Sequence, residues 1–133
     1  MKKTFLLFAF VLIAFFSYSQ TAEEYFNRGN SKAQLLDLNG AIVDMTKAIE
    51  LDSTNPNAYF TRGAAKCQLK DYRDAIVDLS KAILLNPNDN DAYYFRGLSK
   101  LKIEDYFAAL LDFNKAIEIN QKDDLAYFNR GNA

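Results

Sequence analysis

The chain contains no histidine and only one cysteine, Cys67, and these two scarcities remove much familiar chemistry. Without histidine there is no side chain that titrates near neutrality to serve as a general base, and no imidazole to hold a metal. A lone cysteine excludes an internal disulfide and every paired-thiol site. Proline is also scarce, with two residues in 133, while half the residues are hydrophobic and a quarter charged. That balance reads as an ordered, helix-compatible chain. No sign of charge dominates: 16 Lys and Arg oppose 17 Asp and Glu, for a net charge of −1. No basic field therefore steers the chain toward nucleic acid. With no glycine-rich phosphate loop, metal cluster or nucleophile motif in view, the expectation is a non-enzyme with no cofactor and no metal.

One long apolar run exists, the twelve residues FLLFAFVLIAFF from Phe5 to Phe16, preceded by Lys2 and Lys3 and followed by Ser17-Tyr18-Ser19-Gln20. A charged start, a short apolar stretch and a small-x-small end describe a secretory signal peptide over residues 1–19. A helix that spans a bilayer needs about 20 apolar residues, so cleavage after Ser19 is expected and a lasting membrane span is not. No Cys follows the run, which leaves a lipid anchor unsupported. The remainder would start at Gln20 with 14 basic and 17 acidic residues, a net charge of −3. The expected destination is a periplasm or the outside of the cell, with a bacterial envelope the natural setting. Such compartments permit disulfides, so this fold is expected to stand without them.

The rest of the chain repeats itself. YFNRGNSK starts at Tyr25, YFTRGAAK at Tyr59, YYFRGLSK at Tyr93 and YFNRGNA at Tyr127, each 34 residues after the last. A fixed period of about 20–50 residues marks a repeat architecture. The frame gives units at 22–55, 56–89 and 90–123, then 124–133 as the start of a fourth unit or a capping helix. Inside the second unit, helical spacing of apolar residues predicts one helix over about Pro56–Leu69 and another over about Tyr72–Leu85, with Lys70-Asp71 between them. Asn86-Pro87-Asn88-Asp89 is turn chemistry. Each unit is thus a helix hairpin. Gly29, Gly63 and Gly97 recur at the eighth place of the three full units, mid-helix, where glycine costs roughly 1 kcal/mol against alanine. The facing helix offers Ala41 and Ala48, Ala75 and Ala82, and Ala109 and Ala116. Small residues on both sides would let the two backbones approach closely.

On these residues the chain resembles the tetratricopeptide repeat family, whose 34-residue unit carries an aromatic, a glycine, two alanines and a late proline at these places. Only Pro87 matches that proline; Ser53 and Gln121 stand in its place in the other units. The resemblance implies an all-α, right-handed α-solenoid of antiparallel helix hairpins. The family pattern usually has an apolar seventh and an aromatic eleventh place. Here Arg28, Arg62 and Arg96, with Arg130 in the last unit, hold the seventh, and Lys32, Lys66 and Lys100 the eleventh. Both places project from one helix face. Asp44, Asp78 and Asp112 lie across on the second helix, so one reading is a structural charge ladder, with Lys47, Lys81 and Lys115 as competing partners. The other is a basic stripe for an acidic peptide or polyanion.

A stacked solenoid offers a concave surface for binding. By resemblance, the first helix of each unit lines it, which places Phe26, Asn30 and Ala33, then Phe60, Ala64, Cys67 and Gln68, then Tyr94, Leu98, Leu101 and Lys102, with Phe128 beyond. The aromatics among them fit either a groove or packing between units. Some family members hold the C-terminal carboxylate of chaperones in a clamp of Lys, Asn and Arg. Only Asn30 resembles that set, while Phe26, Thr61, Asp91 and Phe95 occupy the other clamp places. The expected role is a protein-interaction scaffold that takes a peptide or protein segment in the groove. Alternatives are self-association through the C-terminal end, a polyanion-binding module, or a fragment of a longer array.

Overall fold

Seven helices run through residues 20–133, the part of the chain that the computed structural model describes: α1 (Ala22–Gln34), α2 (Leu38–Leu51), α3 (Pro56–Gln68), α4 (Tyr72–Leu85), α5 (Asn90–Lys102), α6 (Tyr106–Ile119) and α7 (Asp124–Asn132). There is no strand among the described residues, and the leader expected over residues 1–19 lies outside them. None of the described helices is long and apolar enough to cross a membrane.

Local chemistry sets the helix starts. Thr21 and Glu24 form a reciprocal capping box at α1, each backbone N–H donating to the other's side chain at 3.1 Å. Asn55 caps α3 ahead of Pro56, whose missing N–H costs nothing in a first turn. Asp37, Asp89, Asp105 and Asp123 cap α2, α5, α6 and α7 through their carboxylates.

The turn inside each hairpin is a Schellman motif built without glycine. Leu36, Lys70 and Glu104 take φ of 62°, 68° and 66°, the left-handed region that side chains disfavour. In each, the next residue's N–H reaches back to the carbonyl of the eleventh-place lysine: Asp37 to Lys32, Asp71 to Lys66 and Asp105 to Lys100, all at 2.9 Å. The orphan carbonyls are satisfied and the chain reverses in three residues.

Close approach then fixes the hairpin. A Cβ at Gly63 would stand 2.8 Å from Leu79 Cγ, and one at Gly97 would stand 2.9 Å from Phe113 Cε1. At Gly29 the nearest neighbour is the mobile end of Met45, at 3.0 Å. Ala41, Ala75, Ala82, Ala109 and Ala116 are fully buried opposite, and Ala48 nearly so. The glycine cost is thus offset by the packing it permits.

Hairpins stack through a second set of small residues. Ala58, Ala92 and Ala126, at the third place of the later units, are fully buried. Ala92 packs with Tyr59, Ala82 and Ile83, while Ala126 packs with Ala116 and Ile117. The first unit has Glu24 at this place, where it serves the capping box and stays exposed. The sum is an all-α solenoid of helix hairpins.

Candidate functional site

The charged residues of the repeated phrase face inward, onto the second helix. Arg62 donates from Nε to Asp78 Oδ2 at 2.9 Å and from Nη2 to Oδ1 at 2.7 Å, a two-bond fork, and Lys66 Nζ meets Oδ2 at 2.8 Å. Arg96 and Lys100 repeat this on Asp112, and Arg28 and Lys32 on Asp44. The three aspartates are buried, with side chains 2 to 5% exposed. At Asp44 the Arg28 guanidinium, aided by Lys32, outweighs burial and holds the carboxyl at about 2. Each guanidinium also stands over the tyrosine three residues before it: Arg28 lies 4.9 Å from the Tyr25 ring centre and Arg62 lies 5.8 Å from that of Tyr59.

The remaining arginine nitrogen reaches backward. Arg62 Nη1 donates to Thr46 Oγ1, Arg96 Nη1 to Ser80 Oγ and Arg130 Nη1 to Asn114 Oδ1, each at 3.1 Å. One residue thus joins two helices of its own hairpin and ties that hairpin to the preceding one. Sequence reading missed this link, although Thr46, Ser80 and Asn114 share one place in the repeat. Lys47 and Lys115 do not compete for the aspartates; they pair along their own helices with Glu50 and Glu118. With both forks engaged on carboxylates, the arginines and lysines of the full units form clasps. An open basic stripe is not their arrangement.

The concave side carries a groove of about 350 Å³ between α1, α3 and α5. Phe60, Phe95, Ala64 and Ala65 form its apolar floor, and Asn30, Gln34, Thr61 and Gln68 supply neutral polar groups, with Ala33 and Leu38 completing the wall. None of the lining residues is ionisable. Thr61 Oγ1 donates to Asn30 Oδ1 at 3.1 Å, which holds two of those polar groups together across α1 and α3. The Phe60 and Phe95 rings meet edge to face at 5.8 Å between centres.

Among the residues expected in the groove, Asn30, Ala33, Phe60, Ala64 and Gln68 line this cavity. Others are placed differently. Cys67 is 5% exposed and packs with Ala75 and Leu79, with Leu98 beside them; burial pushes its thiol up, away from the reactive thiolate. Tyr94 packs against the Ala116, Ile117 and Ala126 cluster, its hydroxyl accepting from Asn129 Nδ2 at 3.3 Å, because α7 covers it. Burial raises that hydroxyl too. Phe26 and Leu101 are half-buried away from the cavity lining, and Phe128 stands exposed on α7. Phe95, Thr61, Gln34, Leu38 and Ala65 complete the lining; Thr61 and Phe95 stand at clamp places noted above, and the other three were not expected there. No cluster of metal-ligating side chains occurs among the described residues.

Comparison with known proteins agrees with this architecture. A tetratricopeptide repeat model matches residues 56–89, and a second matches residues 91–123, together half of the chain. No curated protein sequence matches. Among solved structures, the TPR domain of Arabidopsis OM64 is 27% identical over 84% of this chain and 92% of its own, with a TM-score of 0.82. The first TPR of Spaghetti, bound to the HSP90 peptide SRMEEVD, is 25% identical over 86% of this chain and 90% of its own, with a TM-score of 0.81. MamA is 30% identical over 83% of this chain and 64% of its own, with a TM-score of 0.80. The repeated hairpin, its glycine contact and these matches agree: the chain belongs to the tetratricopeptide repeat family.

Proposed function

We propose that the chain is a non-catalytic peptide-binding module that takes an uncharged, apolar-anchored segment of a partner protein in the groove between α1, α3 and α5. The observation behind this is the composition of the lining. Phe60 and Phe95 offer an apolar anchor site, while Asn30, Gln34, Thr61 and Gln68 can exchange hydrogen bonds with a peptide backbone. An acidic peptide tail, such as the one bound by the Spaghetti domain, would find no cation among these lining residues. The protein would meet its partner outside the cytoplasm, as the apolar run near its N-terminus suggests.

Selection from a random peptide library with free C-termini tests this, with the full chain immobilised. The expected winners carry an aromatic or aliphatic anchor without Asp or Glu around it. Their binding should hold at 0.5 M salt, by the screening of about 4 Å at that strength. A Gln34→Glu/Gln68→Glu variant, both positions exposed, should keep its helical circular dichroism and lose affinity by about ten-fold or more through unmatched charge at the groove. Winners that are acidic at the C-terminus and released by salt would sink the proposal.

A further inference from the structure

We infer that the convex face over α2, α4 and α6 is a second docking site, one that takes an acidic amphipathic helix of a partner protein. Each of these second helices packs on first helices, so its far side is open. The twenty-second place of the repeat lies on that side and is apolar in all three full units: Val43, Val77 and Leu111 are 60%, 67% and 55% exposed. Phe107, one turn before Leu111, is 75% exposed, and Leu84, two turns after Val77, is 71% exposed. Single exposed apolar residues are ordinary, whereas a row that crosses three helices at one place of the repeat marks a contact surface.

The charge on this face says what covers it. In the outer two hairpins the lysine four residues after that place is neutralised along its own helix, Lys47 by Glu50 at 2.7 Å and Lys115 by Glu118 at 2.9 Å. In the middle hairpin Leu84 stands where those acids are, and Asp78 is already held by Arg62 and Lys66. Lys81 therefore has no carboxylate partner among the described residues. Arg73, one turn before Val77, is exposed and has none either; Asp74, next to it in the chain, points about 100° around the helix. The stripe Arg73-Val77-Lys81-Leu84 alternates cation and apolar side chain down one face of α4, with two free positive charges on a chain of net charge −1. An amphipathic helix with carboxylates beside its apolar face matches both features. A second copy would set the same cations against themselves. Anionic lipid is read by clusters of about 4–8 cations, more than are free here. This face lies on the other side of the solenoid from the groove, and neither reading depends on the other.

The probe is a fluorescein-labelled helical peptide about 18 residues long, with leucine at spacings of three and four and glutamate beside it. It is titrated with the full chain in about 0.15 M salt, where charge acts over about 8 Å, and followed by fluorescence anisotropy. Saturable binding is expected, and a peptide with lysine in place of glutamate should bind at least about ten-fold more weakly. Leu84→Glu gives Lys81 the partner its counterparts have and removes exposed apolar surface. That chain should keep its helical circular dichroism and lose about ten-fold or more in affinity for the acidic peptide. The groove variant Gln34→Glu/Gln68→Glu should bind it within about two-fold of the unaltered chain. No binding to the unaltered chain, equal binding of the two peptides, or binding that survives Leu84→Glu overturns the inference. Release by the groove variant would assign the peptide to the groove and overturn it as well. Phosphatidylglycerol vesicles or a second copy of the chain, bound in place of the peptide and lost with Leu84→Glu, would give the face to lipid or to self-association and overturn it equally.

Discussion

Replacing Asp78 with alanine removes the centre of the second clasp and leaves two cations behind. Arg62 and Lys66 are 16% and 18% exposed, so neither can turn fully to water without disturbing the hairpin. Breaking a buried ion pair from one side costs about 3–5 kcal/mol, against 0.2–1 for an exposed pair. Arg62 keeps its bond to Thr46 and its place over Tyr59, which argues for the lower end, about 3 kcal/mol. For an array of this size that is roughly a 10–15 °C fall in the melting midpoint. Urea titration and thermal melting followed by circular dichroism measure both. An Arg62→Met/Lys66→Met/Asp78→Leu variant separates stranded charge from lost volume: with every charge gone, stability should return close to the original or above it. A loss under about 1 kcal/mol for Asp78→Ala would place the clasp with ordinary surface pairs and refute the reasoning.

Three further outcomes follow from the same geometry. Alanine at the repeated glycine should change sign along the chain. Gly131→Ala gains up to about 1 kcal/mol of helix propensity in open space, whereas Gly97→Ala drives a Cβ to 2.9 Å from the buried Phe113 ring and should lose about 1–2 net; equal effects in denaturation would refute it. Lys70→Gly relieves a φ of 68° at an exposed site and should raise stability by about 0.5–1 kcal/mol, with Glu104→Gly alike. The Asp44 carboxyl sits at about 2 against an ordinary 3.8, a depressed value, so its stabilisation is complete above about pH 5 and fades as pH falls toward 2. That contribution is about 2 kcal/mol, and an Asp44→Asn chain should show a shallower acid loss of stability across that window.

The hairpin architecture was legible because it is written in columns: Gly29, Gly63 and Gly97 repeat a helix-disfavoured letter at one place, and the alanines repeat opposite. Aspartate pairing was legible for the same reason. The groove was less so: Asn30 with Ala64, Gln34 with Gln68, and Thr61 with Phe95 share columns in its lining, but side chains of different size and polarity fill most of them. Phe95 lines it from a place where the other units carry Asn27, Thr61 and Asn129. Tyr94 shares a column with Phe60 but has α7 over it, so the same place in the repeat lands in packing at one unit and in the cavity at another. The arginine link to the preceding unit escaped because its acceptors, Thr46, Ser80 and Asn114, agree in chemistry and differ in letter.

That link sets how the array comes apart. A hairpin whose arginine grips both its own aspartate and its predecessor's hydroxyl cannot leave its neighbour while its own two helices stay buckled in place. Opening one junction loosens the next, so the three full hairpins should exchange their amide hydrogens as a single cooperative block, and α7, whose arginine has only the backward half of the grip, should fray ahead of them.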